Sequence, residues 1–429
     1  MTTIKVGLIG LGTVGGGVVR ILQEHHDDFV RDQGVDLQLV ACASREPARA
    51  AELGVAHLFS PDGSDIINNP EVDIVVELVG GTGVALQFVQ DALEADKHVV
   101  TANKAIMATC GAELLRTAAY RDLELAYEAS VGGGIPIIGP LRHSLTGNRV
   151  TSVMGIVNGT TNYMLTRMSE DSLDYGTALA EAQAKGFAEA DPTADVGGFD
   201  AAAKIAILAS IAFNTTVTLD DVLTEGITAI TPTDLDYARE MGYCIKLLAI
   251  ANRTPGGIDI RVHPTMLPTS HPLATVRGVF NAIYVVGDAV GETMFFGEGA
   301  GSGPAASAVV GDLIEVARHL TYGETPWQPP ANTEALPIRP VSELESSYYL
   351  RLPVPDQTGV LAKAAQVFAD NGVSIFSVVQ RGVRGDATEL VYVTHKAREA
   401  DVRATIEGIE KTGVLTGPPV LIRVEDSVS

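Results

Sequence analysis

Residues 4–15 read IKVGLIGLGTVG, and this stretch decides the fold. Ile4 to Ile9 is an apolar run of strand length. It leads directly into Gly10, Leu11, Gly12, Thr13, Val14 and Gly15, and Val14 to Gln23 then carries a helical pattern. Glycines at this spacing are a weak signal alone. Strand, glycine turn and helix in that order form a dinucleotide-binding fingerprint. Gly10 permits the tight turn, Gly12 lets the backbone approach a pyrophosphate, and Gly15 packs helix on strand. The pyrophosphate then sits on the helix amino terminus, where free N–H groups and the dipole favour an anion.

Working outward, Leu37 to Ala43 reads as a second strand ending at Ser44 and Arg45. An acidic residue near this strand end would hold ribose hydroxyls, whereas a hydroxyl and a guanidinium suit a 2′-phosphate. NADPH is therefore the preferred cofactor. Glu46 keeps NADH open, and Arg45 also reads as a solvated loop residue. Further βα units follow: Asp73 to Leu78 with helix Val84 to Ala95, and His98 to Thr101 with helix Gly111 to Arg121. Ligands of open parallel sheets bind outside the carboxyl ends of the strands. That rule places Gly80 and Gly81, and then Asn103 and Lys104, at the cleft. By position alone, Lys104 reads equally well as an exposed turn lysine.

The middle of the chain changes character. Glycines 132 to 134 follow Glu128 to Val131 and suggest a backbone pressed against a ligand or ion. Ser152 to Val157 alternates like a strand that begins a new sheet, and Asn158 to Asn162 turns into a helix. An acidic loop from Glu189 to Asp200 contains Pro192, Gly197 and Gly198. The run AAAKIAILASIAFNTTVTL at 201–219 comes next, and Lys204 is its only charge. Burying that ammonium costs on the order of several kcal/mol unless it is paired or neutral. Asp200 lies one helical turn earlier and shares its face, with Glu189, Asp191 and Asp195 as further partners. The acidic loop also reads as solvated, or as a divalent-metal site. Against a metal, no histidine is near and a central lysine repels a cation. GEGAGSG at 297–303 precedes helix Pro304 to Leu320 and makes Gly301 and Gly303 a second cofactor contact. That helix is expected to pack back on the first domain.

Composition bounds the rest. The 429 residues carry a net charge of −23, which argues against nucleic acid or an anionic membrane as partner. No apolar run reaches membrane-spanning length, and the first residues lack a signal-peptide pattern. Cys42, Cys110 and Cys244 are few and not in metal spacing, which fits a reducing, cytoplasmic setting.

These segments, in order, resemble homoserine dehydrogenase over the whole chain. The resemblance rests on GLGTVG at 10–15, TANK at 101–104, YEASVGGGIPII at 127–138, GIVNGTTNYML at 155–165, EADPTADVGGFDAAAK at 189–204 and GEGAGSG at 297–303. It implies reversible, nicotinamide-dependent interconversion of L-aspartate 4-semialdehyde and L-homoserine. It also implies that Lys204 is the acid/base at the aldehyde oxygen and that Lys104 assists there or relays the proton. Glu189 and Asp195 would hold the substrate ammonium, and Asp200 would orient Lys204. A sodium or potassium ion would involve Glu128 and main-chain groups of Val131, Gly133 and Ile135.

The tail reads separately. Thr325 to Pro340 holds five prolines, Pro326, Pro329, Pro330, Pro337 and Pro340, and suggests an extended linker. Beyond it, strand Tyr348 to Val354, a helix to Asp370, strands Ile375 to Val379 and Thr388 to Thr394, helix Glu399 to Lys411 and strand Val420 to Val424 give a βαββαβ order. With DQTGVL at 356–361 and NGVSI at 371–375, this resembles an ACT domain. The resemblance implies amino-acid binding, with threonine the expected effector and Asp356, Gly359 and Asn371 the candidate positions. A tail that only holds subunits together is the plainer alternative.

The expected architecture is α/β: a Rossmann-type dinucleotide-binding domain (1–133), an α+β substrate and dimerisation domain (134–303), a linker (321–345) and a βαββαβ ACT domain (346–429). A homodimer or homotetramer is expected. The competing functions are another ACT-linked nicotinamide dehydrogenase, which would need a catalytic histidine, and a non-catalytic amino-acid sensor.

Overall fold

The structure, a computed structural model, describes residues 2–323, 335–382 and 387–425. The chain forms two compact units, each gathered from distant stretches. Unit 1 holds Met1–Gly159, Asp200–Val222 and Val279–Leu336; unit 2 holds Thr160–Phe199, Leu223–Gly278 and Pro337–Ser429. In chain order the first strands are β1 (Thr3–Ile9), β2 (Asp36–Ala43), β3 (Phe59–Ser60), β4 (Ile74–Glu77), β5 (His98–Thr101), β6 (Leu125–Ala126), β7 (Val150–Ile156) and β8 (Leu223–Thr224). They are followed by β9 (Tyr243–Thr254), β10 (Gly257–Pro268), β11 (Phe280–Gly287), β12 (Gly291–Glu298), β13 (Glu345–Pro355), β14 (Ile375–Gly382), β15 (Ala387–Thr394), β16 (Ala397–Arg398) and β17 (Val420–Val424).

In unit 1, β1 to β6 form a parallel sheet in the order β3-β2-β1-β4-β5-β6. Its central strands are covered on both faces, so they read as continuous apolar runs and not as alternation. Val6, Leu8, Ile74 and Val76 are fully buried in it. Helices Thr13–Glu24 and Ser302–Tyr322 share that core through Val18, Val19, Val309 and Leu313. They approach at Gly17, where an added methyl would come within 2.7 Å of Ala306 Cβ. Each buried Val or Leu here contributes roughly 1.5–3 kcal/mol. Strand order reverses between β1 and β4, the switch point at which such sheets bind ligands. Within the same unit, β12, β11 and β7 pair antiparallel in that order.

Unit 2 is built on the β9–β10 hairpin, two strands of 12 residues each. β17 pairs in parallel with β10, placing Thr265 opposite Arg423, and the sheet continues through β13, β15 and β14. Helices Val360–Asp370 and Glu399–Lys411 pack Phe368, Val402 and Ile409 against Leu350, Leu352 and Tyr392. The tail thus has a core of its own and joins unit 2 through the pairing of β17 with β10. Buried ion pairs lock it in place: Arg351 to Asp234 at 2.7 Å, and Arg423 between Glu225 (2.7 Å) and Glu399 (2.6 Å). The compact units do not follow the expected divisions at 133/134 and 345/346: unit 1 runs on from the first sheet to Gly159, and unit 2 joins β10 to the tail strand β17. Pro326, Pro329 and Pro330 of the expected linker lie outside the described residues. Among the described residues, no helix is long and apolar enough to cross a membrane.

Candidate active site

The glycine turn is built as a phosphate cradle requires. Gly10 takes φ +108°, and a side chain there would come within 2.7 Å of the Leu78 carbonyl. A methyl on Gly15 would lie 2.0 Å from the Gly10 oxygen. A Cβ on Gly12 would meet nothing within 4 Å, so that face of the turn is open to a ligand. Gly12 caps helix Thr13–Glu24 without any side-chain bond, which leaves the first N–H groups available to an anion. Leu11 is buried and its carbonyl accepts from Arg49 Nε at 3.3 Å. Ser302 donates to the Thr13 carbonyl at 2.8 Å and accepts from Arg20 at 3.1 Å, which ties the second glycine loop to the first. Gly301 in that loop takes φ +129°, and Gly303 is open on its Cβ side. These features fit a dinucleotide. Arg45 is exposed at the end of β2, beside Ser44.

Lys104 is set by a chain of buried polar groups. Glu77, fully buried at the end of β4, accepts from the Val79 and Gly80 N–H groups (2.7 and 3.1 Å) and from Thr101 Oγ1 (2.7 Å). Thr101 Oγ1 in turn accepts from the Asn103 N–H at 3.0 Å, and Asn103 donates to the Gly81 carbonyl at 2.8 Å. Asn103 Oδ1 then caps helix Lys104–Tyr120 by accepting from Ile106 N–H. Lys104 is therefore the first residue of a helix that begins seven positions before the expected Gly111. The Asn103 cap explains the earlier start. Gly80 and Gly81, with φ +79° and +76°, form the neighbouring loop.

The centre is one carboxylate between two ammonium groups. Lys204 Nζ lies 2.7 Å from Asp200 Oδ2, and Lys104 Nζ lies 3.0 Å from Asp200 Oδ1. Lys204 also donates to the Val157 carbonyl at 2.6 Å, and Asn158 Nδ2 donates to Asp200 Oδ2 at 2.9 Å. Asp200 and Lys204 are buried, while the Lys104 side chain is 43% exposed and opens the cluster to solvent. Burial alone would raise the Asp200 carboxyl. The ammonium groups of Lys204 and Lys104, with hydrogen bonds from Lys204 and Asn158, outweigh it and hold the group well below the usual carboxylate range.

Glu128 departs from its simplest reading as an ion ligand. Both carboxylate oxygens are engaged by main-chain donors: Ile137 and Ile138 at 2.6 and 2.8 Å, and Gly139 at 2.6 Å. Its own N–H donates to Asp312, a carboxyl that burial pushes well above its ordinary value. The following loop turns through Gly132 and Gly133 in left-handed conformations, with Val131 and Ile135 buried on either side. A cation here would be held by main-chain carbonyl oxygens, a donor set that suits a hard monovalent ion. Among the described residues, no group of three or more His, Cys, Asp or Glu side chains could hold a metal.

Glu189 and Asp195 belong to unit 2. Glu189 is exposed with its carbonyl held by Gln183 at 3.0 Å, and Asp195 lies in the short helix Thr193–Val196. In the tail, Gly359 takes φ +87° and caps helix Val360–Asp370. Asp356 accepts from Gln380 at 3.2 Å, and Asn371 bonds back to the Val367 carbonyl. A cavity of about 660 Å³ in unit 1, lined by Met107, Tyr127, Arg142, Ile211, Asp312 and Val316 among others, contains neither lysine.

Motif reading missed Glu77, Arg49 and the role of Asn158. Glu77 had a signal: a lone charge ending the apolar run Ile74 to Val76, the same sign that marked Lys204.

Comparison with known proteins gives the family. Residues 136–314 match the family model described as homoserine dehydrogenase, residues 10–128 match the homoserine dehydrogenase NAD binding domain, and residues 348–413 match the ACT domain. A homoserine dehydrogenase of Pseudomonas aeruginosa is 42% identical over 433 residues, covering 99% of each chain. One from Corynebacterium glutamicum is 44% identical, covering 99% of this chain and 96% of its own. The crystal structure of a homoserine dehydrogenase from Thiobacillus denitrificans superposes with a TM-score of 0.95 at 41% identity, over 99% of both chains. A hyperthermophilic archaeal homoserine dehydrogenase in complex with NADPH covers 74% of this chain and 98% of its own, with a TM-score of 0.64 at 25% identity.

Proposed function

The chain belongs to the homoserine dehydrogenase family, and from that premise we propose how its own residues perform the reaction. It is a nicotinamide-dependent oxidoreductase that interconverts L-aspartate 4-semialdehyde and L-homoserine. Lys204 is the proton donor to the aldehyde oxygen, and the observation that carries this role is the shared carboxylate. Asp200 holds two ammonium groups at 2.7 and 3.0 Å, so the cluster keeps one net positive charge. Negative charge develops on the substrate oxygen during reduction, and a fixed ammonium stabilises it and then neutralises it. The bound nicotinamide supplies the hydride. Lys104, more exposed than Lys204, binds the same oxygen or relays its proton to solvent. Glu189 and Asp195 take the substrate ammonium.

The pyrophosphate is assigned to Gly10, Leu11, Gly12, Thr13, Val14 and Gly15, with Gly80, Gly301 and Gly303 as further cofactor contacts. Arg45 is assigned the 2′-phosphate of NADPH, with NADH as a poorer cofactor. A sodium or potassium ion is assigned to main-chain oxygens of Glu128, Val131, Gly133 and Ile135. Threonine is the proposed effector of the tail, at Asp356, Gly359 and Asn371. The exposed apolar side chains Phe280, Met294 and Phe296 support assembly into a homodimer or homotetramer, and three free cysteines support a cytoplasmic setting.

Lys204→Arg tests the proton donor, because it keeps the positive charge and removes a readily transferred proton. We expect kcat to fall about 10²–10⁴-fold. Near-normal kcat in a folded Lys204→Arg enzyme would overturn the assignment. Arg45→Ala is expected to lower kcat/KM for NADPH about tenfold and leave NADH unchanged. Equal losses with both cofactors refute that role.

A further inference from the structure

The motif GIVNGTTNYML ends β7, and the reaction as described leaves its Asn158 without a role. Val157 and Asn158 sit side by side on the lysine cluster and grip it in two ways. The Val157 carbonyl accepts from Lys204 Nζ at 2.6 Å, and the Asn158 amide donates to Asp200 Oδ2 at 2.9 Å. One dipeptide therefore presents an acceptor to the cation and a donor to the anion of the same ion pair. Asn158 is itself buried, so its amide is held in place by packing.

The division of labour on Asp200 follows from geometry. Its Oδ1 faces Lys104, while its Oδ2 receives both Lys204 and Asn158. A carboxylate on a single rotatable bond can swing and exchange its two oxygens. A third donor anchored from β7 removes that freedom and fixes which oxygen serves which lysine. We propose that Asn158 is a positioning residue for the reaction, acting through Asp200 to hold Lys204 and Lys104 on opposite oxygens of one carboxylate. It touches neither substrate nor cofactor in this role. The inference rests on the reading of Lys204 and Lys104 as the reacting pair, which Lys204→Arg tests separately.

The test is a double-mutant cycle read in kcat and KM. Asn158→Ala is expected to lower kcat about 10–100-fold, as expected for loss of a hydrogen bond to a buried charge, with KM for the semialdehyde within about threefold. In an Asp200→Ala background the same substitution is expected to cost nothing further, because the group it acts through is gone. An undiminished loss in that background overturns the proposal, as does unchanged kcat in Asn158→Ala itself. Asn158→Asp keeps the shape and removes the donor, so it guards against a folding defect in the alanine variant. A loss at least as large is expected, and near-normal kcat in Asn158→Asp equally overturns the proposal. A role confined to holding the turn would lower the melting temperature of both variants and leave kcat per folded molecule unchanged.

Discussion

Unit 1 and unit 2 each bury a lysine, Lys204 and Lys246, at 8% and 5% exposure. The ammonium of Lys204 meets a carboxylate at 2.7 Å, and a second lysine lies on that carboxylate's other oxygen. Lys246 donates to Asn162 Oδ1 at 3.0 Å and to the Val276 carbonyl at 2.6 Å, both neutral. Burial lowers Lys246 below its ordinary value of 10.5, with Cys244 and Glu170 opposing and Arg277 adding to the fall. On the proposed roles, burial by itself does not mark a reacting lysine. A charged partner keeps an ammonium ready to act on a developing anion, whereas neutral acceptors turn a buried lysine into a brace between a helix and a loop.

The sharpest test of this contrast is to remove each lysine. Lys204→Ala is expected to lower kcat about 10²–10⁴-fold. Lys246→Ala should leave kcat within about threefold, since loss of an ordinary structural hydrogen bond acts on stability and not on the reacting atoms. Similar losses of kcat in both, measured on folded protein, would break the contrast. Next in size is Asp200→Asn, which leaves Lys204 with neutral partners only, as Lys246 has. We expect kcat to fall about 10–100-fold, because the charged hydrogen bond that orients Lys204 becomes a neutral one. An unchanged kcat would show that Asp200 does not govern Lys204.

Lys246→Met removes a donor from the Val276 carbonyl and from Asn162 Oδ1, and urea unfolding should report a loss of about 1–3 kcal/mol. The smallest effect is the dependence of stability on pH. The lowered value of Lys246 means that the unfolded chain binds more protons between that value and 10.5. Stability should rise with pH across this window, by no more than about 1.4 kcal/mol per unit, and Lys246→Met should flatten the rise. Asp200 works in the opposite range. Its lowered value contributes stability that is present above 3.8 and is lost as pH falls through the folded value. Acid unfolding of Asp200→Asn should lack that component.

Much of the site is legible in the local pattern of the chain. Gly10, Gly12 and Gly15 are readable because strand, turn and helix are local, and each glycine answers a steric demand within a few residues or across one strand. Lys204 and Asp200 are readable because a helix brings positions four apart onto one face. The strand-end rule places Lys104 at the cleft but not at the start of a helix. Its position depends on Asn103, Thr101 and Glu77, and Glu77 lies 24 residues before Thr101. Asn158 reaches Asp200 across 42 residues, which no periodicity encodes. The tail is readable in the order of its elements, with their ends placed to within about three residues. Its fusion to β10 is not, because edge strands carry no sequence mark of the partner they will take.

By itself the sequence determined the parallel sheet, the glycine cradle, the buried lysine with its local carboxylate and the order of elements in the tail. All of these follow from hydrophobic period, turn chemistry and neighbours within one or two helical turns. Only the tertiary structure decided that one carboxylate serves two lysines, that Glu128 uses its oxygens on main-chain amides, that Asn158 stands behind Asp200, and that β17 joins the tail to β10. Apart from Glu128, whose amide partners lie 9 to 11 residues on, each depends on a contact between groups far apart along the chain. Such contacts arise when whole elements pack, and the demand that every buried polar group find a partner then selects among them.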